Sequence, residues 1–361
     1  MSAIMNHRPA DRHDRLNPGN WRPAQAAAAA LALGTPLALG ALAGHLNFGR
    51  LAALGALAAC SGFGGLSRRE IISGLGYTLL SANAAMLTGA CLAGHGHAAA
   101  VALPLLAGAA GLVGGLSRPM AHTVPHFILY TIIAASMDIA DSSPMVSMLP
   151  FVTGSACYAG LELGLALCFH RLGWQNHEGC IQAPNYPFKL LMRRWAMSLK
   201  SLSGWHYALR LTLCLAAAQS FERFWPHHHG YWASVTVVIV MRRDIRAMLP
   251  RILERSAGTL GGVMLAGLLL TSMLPAWFKI GATGILAAGR IMLKDANYIL
   301  YAVVMTVLVV LLLDFDAARP SMIIIDRLAA TTAGCLVAMV LGYLPWYRLP
   351  PGRINKMAKR S

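Results

Sequence analysis

The chain is a succession of apolar runs broken by glycine, proline and charged clusters. Six runs fall at Ala24 to Gly44, Leu51 to Leu66, Ile71 to Ala93, Ala98 to Leu116, Val124 to Met137 and Met145 to Phe169. After a polar connector, six more follow at Tyr207 to Phe221, Tyr231 to Met241, Ala257 to Leu274, Ile280 to Leu293, Tyr298 to Leu313 and Ile323 to Leu344. Runs of this character predict membrane-spanning helices, because a helix of apolar side chains satisfies its own backbone in lipid. The pattern predicts an all-α integral membrane protein with about twelve transmembrane helices in two six-helix repeats. The expected segments are an N-tail at 1–23, a first six-helix block at 24–169, a short cytoplasmic connector at 170–206, a second block at 207–345 and a basic C-tail at 346–361.

One run stands apart. Tyr231 to Met241 is eleven residues, which rise about 16 Å against a hydrocarbon core of about 30 Å. Such a segment borrows from its flanks, bends, or stops midway, and stopping midway demands a polar lining for the exposed backbone. That places Tyr231, Trp232, Ser234 and Thr236 beside a cavity; an interfacial aromatic belt is the competing role for the two rings. The stretch "FGRLAALGALAACSGFGGLSRRE" begins where "HGYWASVTVVIVMRRD" begins 181 residues later, each a short apolar piece before an Arg-Arg pair. Correspondingly placed short segments point to a transport site.

Composition strengthens the membrane reading. Of 361 residues, 57% are hydrophobic and 12% charged, where a soluble domain carries about a quarter charged residues. The net charge of +16 is explained by its placement: with both termini inside, 24 of the 30 lysines and arginines fall on the cytoplasmic side, as the positive-inside rule requires. Membrane lipid is therefore the expected partner of the basic segments, and nucleic acid is not expected. The polar start lacks the layout of a cleavable signal and is expected to stay in the cytoplasm. Seven cysteines occur singly, with no Cys-x-x-Cys pair, and read as small core residues.

The candidate chemistry is anionic recognition. "RSAGTLGG" from Arg255 and "RLAATTAG" from Arg327 each set a threonine four residues after an arginine, with glycine six or seven after it. Three spans separate them, so one helix starts at the cytoplasmic face and the other at the outer face, as in an inverted repeat. An arginine in the first turn of a membrane helix adds its charge to the unsatisfied backbone N–H groups and suits a carboxylate. Thr259 and Thr331, one turn further in, offer hydroxyls; snorkelling to phosphate headgroups is the competing role for each arginine. Glu162 is the carboxylate well inside a predicted span and the first candidate for proton coupling. Asp326 is the second, although it and Glu222, near outer helix ends, are also placed to pair with Arg327 and Arg223. His227 to His229 lack further ligands at zinc spacing, and "DFD" at Asp314 to Asp316 falls in an outer loop. No metal site or cofactor is expected, and no nucleophile elbow, phosphate loop or dinucleotide fingerprint suggests an enzyme.

"GYWASVTVVIVMRRDIRAMLPRILERSAGTLGG" resembles the signature of the fusaric acid resistance protein-like family, related to aromatic acid exporters and plant malate-type anion channels. The resemblance rests on Tyr231, Trp232, Thr236, Arg255, Gly258, Thr259 and Gly262, and Arg210 and Arg327 sit where that family commonly has arginine. It covers Tyr207 to Leu344; the first half is similar only in topology, with Arg50-Leu51 in place of Tyr-Trp. The family's sizeable cytoplasmic domains have no counterpart in the short connector and tail. The resemblance implies a bacterial inner membrane exporter of amphipathic organic anions such as aromatic carboxylic acids, proton-driven, homodimeric, and served by a membrane fusion adaptor. Substrate contacts would come from Arg210, Tyr231, Trp232, Thr236, Arg255, Thr259, Arg327 and Thr331. A passive anion channel and a non-transporting subunit of an envelope-assembly complex are the alternatives.

Overall fold

The computed structural model describes residues 23–60, 68–137, 144–171, 188–224, 230–271, 274–313 and 320–347. Among them every regular element is helical. The first group comprises α1 (Pro23–Leu42), α2 (Leu46–Ala59), α3 (Arg68–Leu92), α4 (Gly96–Val113), α5 (Arg118–Ser136) and α6 (Pro144–Arg171). An amphipathic helix, α7 (Phe188–Leu199), precedes the second group: α8 (Leu202–Phe224), α9 (Tyr231–Val240), α10 (Met248–Thr271), α11 (Ala276–Ala296), α12 (Tyr298–Leu313) and α13 (Pro320–Val337). The last helix continues through a π-helical segment, Ala338–Tyr343, into Leu344–Tyr347.

Among the described residues seven helices are long and apolar enough to cross a membrane, and α2, α9 and α12 are shorter apolar helices. Large apolar side chains such as Leu42, Leu80, Met264 and Ile285 project outward from the bundle. Water would make that surface untenable, whereas lipid tails match it. The chain is a multi-pass membrane protein.

The interior is built from small residues. Ala28, Ala29, Ala32, Ala53, Ala56 and Ala59 are buried, and association in lipid depends on such close approach because no hydrophobic drive distinguishes helix from tail. On α6, Gly154 lies directly against the Ala52 carbonyl of α2; on α13, Gly334 lies against the Ala233 carbonyl of α9, where an added Cβ would sit 2.6 Å from the oxygen. These two contacts are equivalent in the packing diagram. In the first group α2 packs on α1 and α6, α3 on α5 and α6, and α4 on α5; in the second α9 packs on α8 and α13, α10 on α12 and α13, and α11 on α12. Across the groups α1 meets α11, α4 meets α8, α5 meets α9 and α2 meets α12.

Each predicted apolar run falls on a helix where it is described, with 61–66 and 272–273 outside the described residues, but several boundaries move. The fifth helix starts at Arg118, where the Ser117 hydroxyl accepts from the Met120 N–H and Pro119 sits in the first turn. The ninth run was expected from Ala257, yet α10 begins at Met248. Hydropathy marks where a helix meets lipid, and the polar turn "LPRILER" stays helical because Arg251 pairs with Glu254 at 3.9 Å and lies over the Tyr298 ring. Pro250 is tolerated there because first-turn N–H groups have no intrahelical acceptor.

Candidate functional site

The short helix read from the sequence is short in the structure. α9 spans ten residues, Met241 is extended, and the chain turns through Asp244, whose carboxylate accepts from the Arg246 N–H. A helix of ten residues is about 15 Å long, so its last carbonyls end within the bundle and need donors. Arg210 of α8, fully buried, meets backbone just past that end and at the break in the last helix: its Nη1 donates to the Arg242 carbonyl at 3.4 Å and its Nε to the Gly342 carbonyl of the π-helical segment at 2.7 Å. Its Nη2 contacts Met248 Sδ at 2.9 Å. The Arg210 guanidinium is thus occupied by backbone at a helix break.

The same device recurs in the first group. α2 ends at Ala59, and the Cys60 carbonyl accepts from Arg290 Nη2 at 3.1 Å. Arg290 is buried in α11. Arg243 Nη2 donates to the Gly111 carbonyl at the end of α4, where Trp195 of α7 also donates to Leu112. Burial lowers the Arg243 pKa from its usual value, and the nearby Tyr207 opposes that shift. Cationic side chains at helix C-termini meet both the orphan carbonyls and the negative end of the dipole.

Arg255 differs from all of these. It is 6% exposed, and among the described residues no carboxylate and no hydrogen-bond acceptor meets it; its Nε is buried without a partner. Thr259, one turn on and buried, likewise has a hydroxyl without a partner. Around them Gly258 packs against Ala302 and Gly262 against Thr306 of α12. Because α10 begins at Met248, Arg255 is its eighth residue and lies about 10 Å from the helix start. Arg327 is likewise the eighth residue of α13. The expectation that both occupy a first turn is corrected: the helix-dipole contribution is confined to the first turn, so any anion here would be held by guanidinium and hydroxyl.

Arg327 is buried, and its guanidinium carbon lies 3.0 Å from the centre of the Trp232 ring. Tyr231 is tilted against Trp232 with ring centres 4.7 Å apart and lines a cavity of about 500 Å³ between α4, α5, α8 and α9. Trp232 is buried and Tyr231 half-buried. Thr236 returns its hydroxyl to the Trp232 carbonyl at 2.8 Å and packs against Gly334, while Thr331 is buried one turn after Arg327. Ser256 Oγ meets Cys335 Sγ at 3.5 Å, which sets Arg255 level with the eighth residue beyond Arg327. The two arginines therefore differ in depth by about 12 Å.

The buried carboxyls are distributed. Glu162 of α6 accepts from Gln25 Nε2 at 2.6 Å and lies against Tyr158. Asp326 is buried beside Arg327 in sequence. Among the described residues no three His, Cys, Asp or Glu side chains gather where they would hold a metal ion; His227 to His229 and Asp314 to Asp316 lie outside the described residues.

The chain has two matches among known proteins. Over 162 residues, 45% of this chain, the sequence is 28% identical to an Escherichia coli (strain K12) protein described as "Uncharacterized protein YhfK". The match spans 23% of that protein's length. No solved structure matches the chain. A family model described as fusaric acid resistance protein-like matches residues 213–341, a stretch that holds α9, Arg255, Thr259 and Arg327. The resemblance first carried by Tyr231, Trp232 and the Arg255 motif is thus borne out over residues 213–341, which match the fusaric acid resistance protein-like family.

Proposed function

We propose that the chain is a membrane transporter for amphipathic organic anions, aromatic carboxylates among them, driven by a proton gradient across a bacterial inner membrane. The observation that carries this reading is the buried Arg255–Thr259 pair, whose guanidinium and hydroxyl have no partner among the described residues. A cation kept in an apolar bundle without an acceptor costs stability and is explained if an anion completes it. The carboxylate engages Arg255 from one side and Arg327 from the other; a depth difference of about 12 Å exceeds the span of one carboxylate and favours alternation over simultaneous contact. Tyr231 and Trp232 meet the apolar body of the substrate, and Glu162, with Asp326 as the second candidate, carries the proton. The recurrent neighbours in the two groups support two six-helix repeats, and cytoplasmic termini belong to the same proposal. A homodimer working with a membrane fusion adaptor belongs to the same proposal.

The test is anion uptake in reconstituted vesicles. Arg255→Ala abolishes anion-dependent transport while the protein remains folded; unchanged transport removes Arg255 from the site. One observation favours a second reading, a passive anion channel: among the described residues four arginines are buried against two carboxylates, Glu162 and Asp326. Anion currents across planar bilayers without a proton gradient distinguish it.

A further inference from the structure

Glu222 lies near the C-terminal end of α8 beside the cavity of about 500 Å³, whose walls include Leu103, Ile132, Ser136, Gln219 and Tyr231. Sequence reading paired it with Arg223, whose side chain lies outside the described residues. Among the described residues Glu222 Oε2 is buried and has no hydrogen-bond partner, and the side-chain partner of the carboxyl is Gln219. An ionised carboxylate offers about four acceptor sites and needs donors or a cation when desolvated. Among the described residues no lysine or arginine lines the cavity. Among the described residues the other titratable groups along it are His97 of α4 and Tyr231 of α9, while α3 and α5 contribute groups such as Leu92 and Ser136. Desolvation without a nearby cation favours the neutral carboxylic acid over the ionised form. A cavity of this size holds several waters, which gives the proton a route out.

Two contacts tie this carboxyl to α9. Gln219 Nε2 donates to the Ser234 hydroxyl at 3.0 Å. Gly230, the N-cap of α9, packs so closely on Glu222 that an added Cβ would sit 3.1 Å from its Cα and 3.2 Å from its Cγ, and that helix start has no side-chain cap. Loss of the proton therefore puts a negative charge beside uncapped N–H groups, which attract it. The helix that responds carries Trp232, on which the Arg327 guanidinium rests.

We propose that Glu222 is a further proton-exchanging carboxyl, acting at the cavity in addition to the carrier carboxyl Glu162, and that its ionisation pulls on the start of α9 and so resets Trp232 beneath Arg327. The coupling half of this inference rests on the anion-transport reading; the protonation half does not. Infrared difference spectra of the purified protein against Glu222→Gln test protonation first. A carboxylic-acid carbonyl band present in the wild type at neutral pH and missing in Glu222→Gln supports the proposal, and a band of equal intensity in both overturns it. In vesicles, Glu222→Gln loses at least tenfold of uptake driven by a proton gradient yet keeps anion counterflow without one, and Glu222→Asp retains driven uptake. Driven uptake unchanged in Glu222→Gln overturns the coupling, as does loss of counterflow in folded protein. Absence of anion transport by the wild type sinks the transport reading and the coupling with it, and leaves the infrared result to decide the protonation.

Discussion

Arg255→Met removes the charge at the candidate site and keeps an unbranched apolar stem of similar reach. An arginine deep in a membrane helix costs about 2.5–3.5 kcal/mol, and a guanidinium without acceptors recovers little of it. Arg255→Met is therefore expected to stabilise the protein by about 1–4 kcal/mol, the range seen when buried charged groups give way to apolar ones, while it destroys anion binding. Arg210→Met is the control, because the desolvation relief is common to both substitutions. There, the Gly342 and Arg242 carbonyls lose their donor, at about 1–3 kcal/mol each for a buried polar group left unmet. The difference between the two variants isolates that effect: Arg210→Met is less stable than Arg255→Met by about 2–6 kcal/mol. Equilibrium unfolding in lipid nanodiscs, followed by tryptophan fluorescence, measures both. An aromatic carboxylate at a hundred times its Kd adds about 2.7 kcal/mol to the wild type and nothing to Arg255→Met. Equal destabilisation by the two substitutions would refute the distinction between a capping arginine and a waiting one.

Other consequences follow from packing. Gly154→Ala and Gly334→Ala each push a helix off a facing carbonyl and cost about 1–3 kcal/mol by overpacking, whereas Gly164→Ala, with nothing within 4 Å of its added Cβ, gains about 0.5–1 kcal/mol from helix propensity; the same unfolding assay reads all three. Trp232→Leu removes the ring under Arg327, a contact worth about 0.5–2 kcal/mol, and raises the KM for anion uptake several-fold, while Trp232→Phe keeps most of the affinity; an unchanged KM in Trp232→Leu would separate Arg327 from the substrate.

The membrane character, the positions of the helices and the shortness of α9 were legible along the chain, because each is a local property: apolar length, flanking charge, and the turn after Val240. The motif around Arg255 was legible for the same reason, and the match over residues 213–341 covers it. Helix starts were less so, since lipid entry and helix onset are separate events and α10 runs on through a charged turn. What each arginine does was decided elsewhere. Arg210 and Arg290 reach carbonyls 132 and 230 residues away, and Glu222 meets its cavity only where α8 and α9 pack on α4 and α5. A charge in a hydrophobic run announces that something must satisfy it, but whether that something is a backbone oxygen or a group still to arrive depends on which helix end the fold brings alongside. Local sequence set the demand for partners, and the packing of distant helices settled which demands were met.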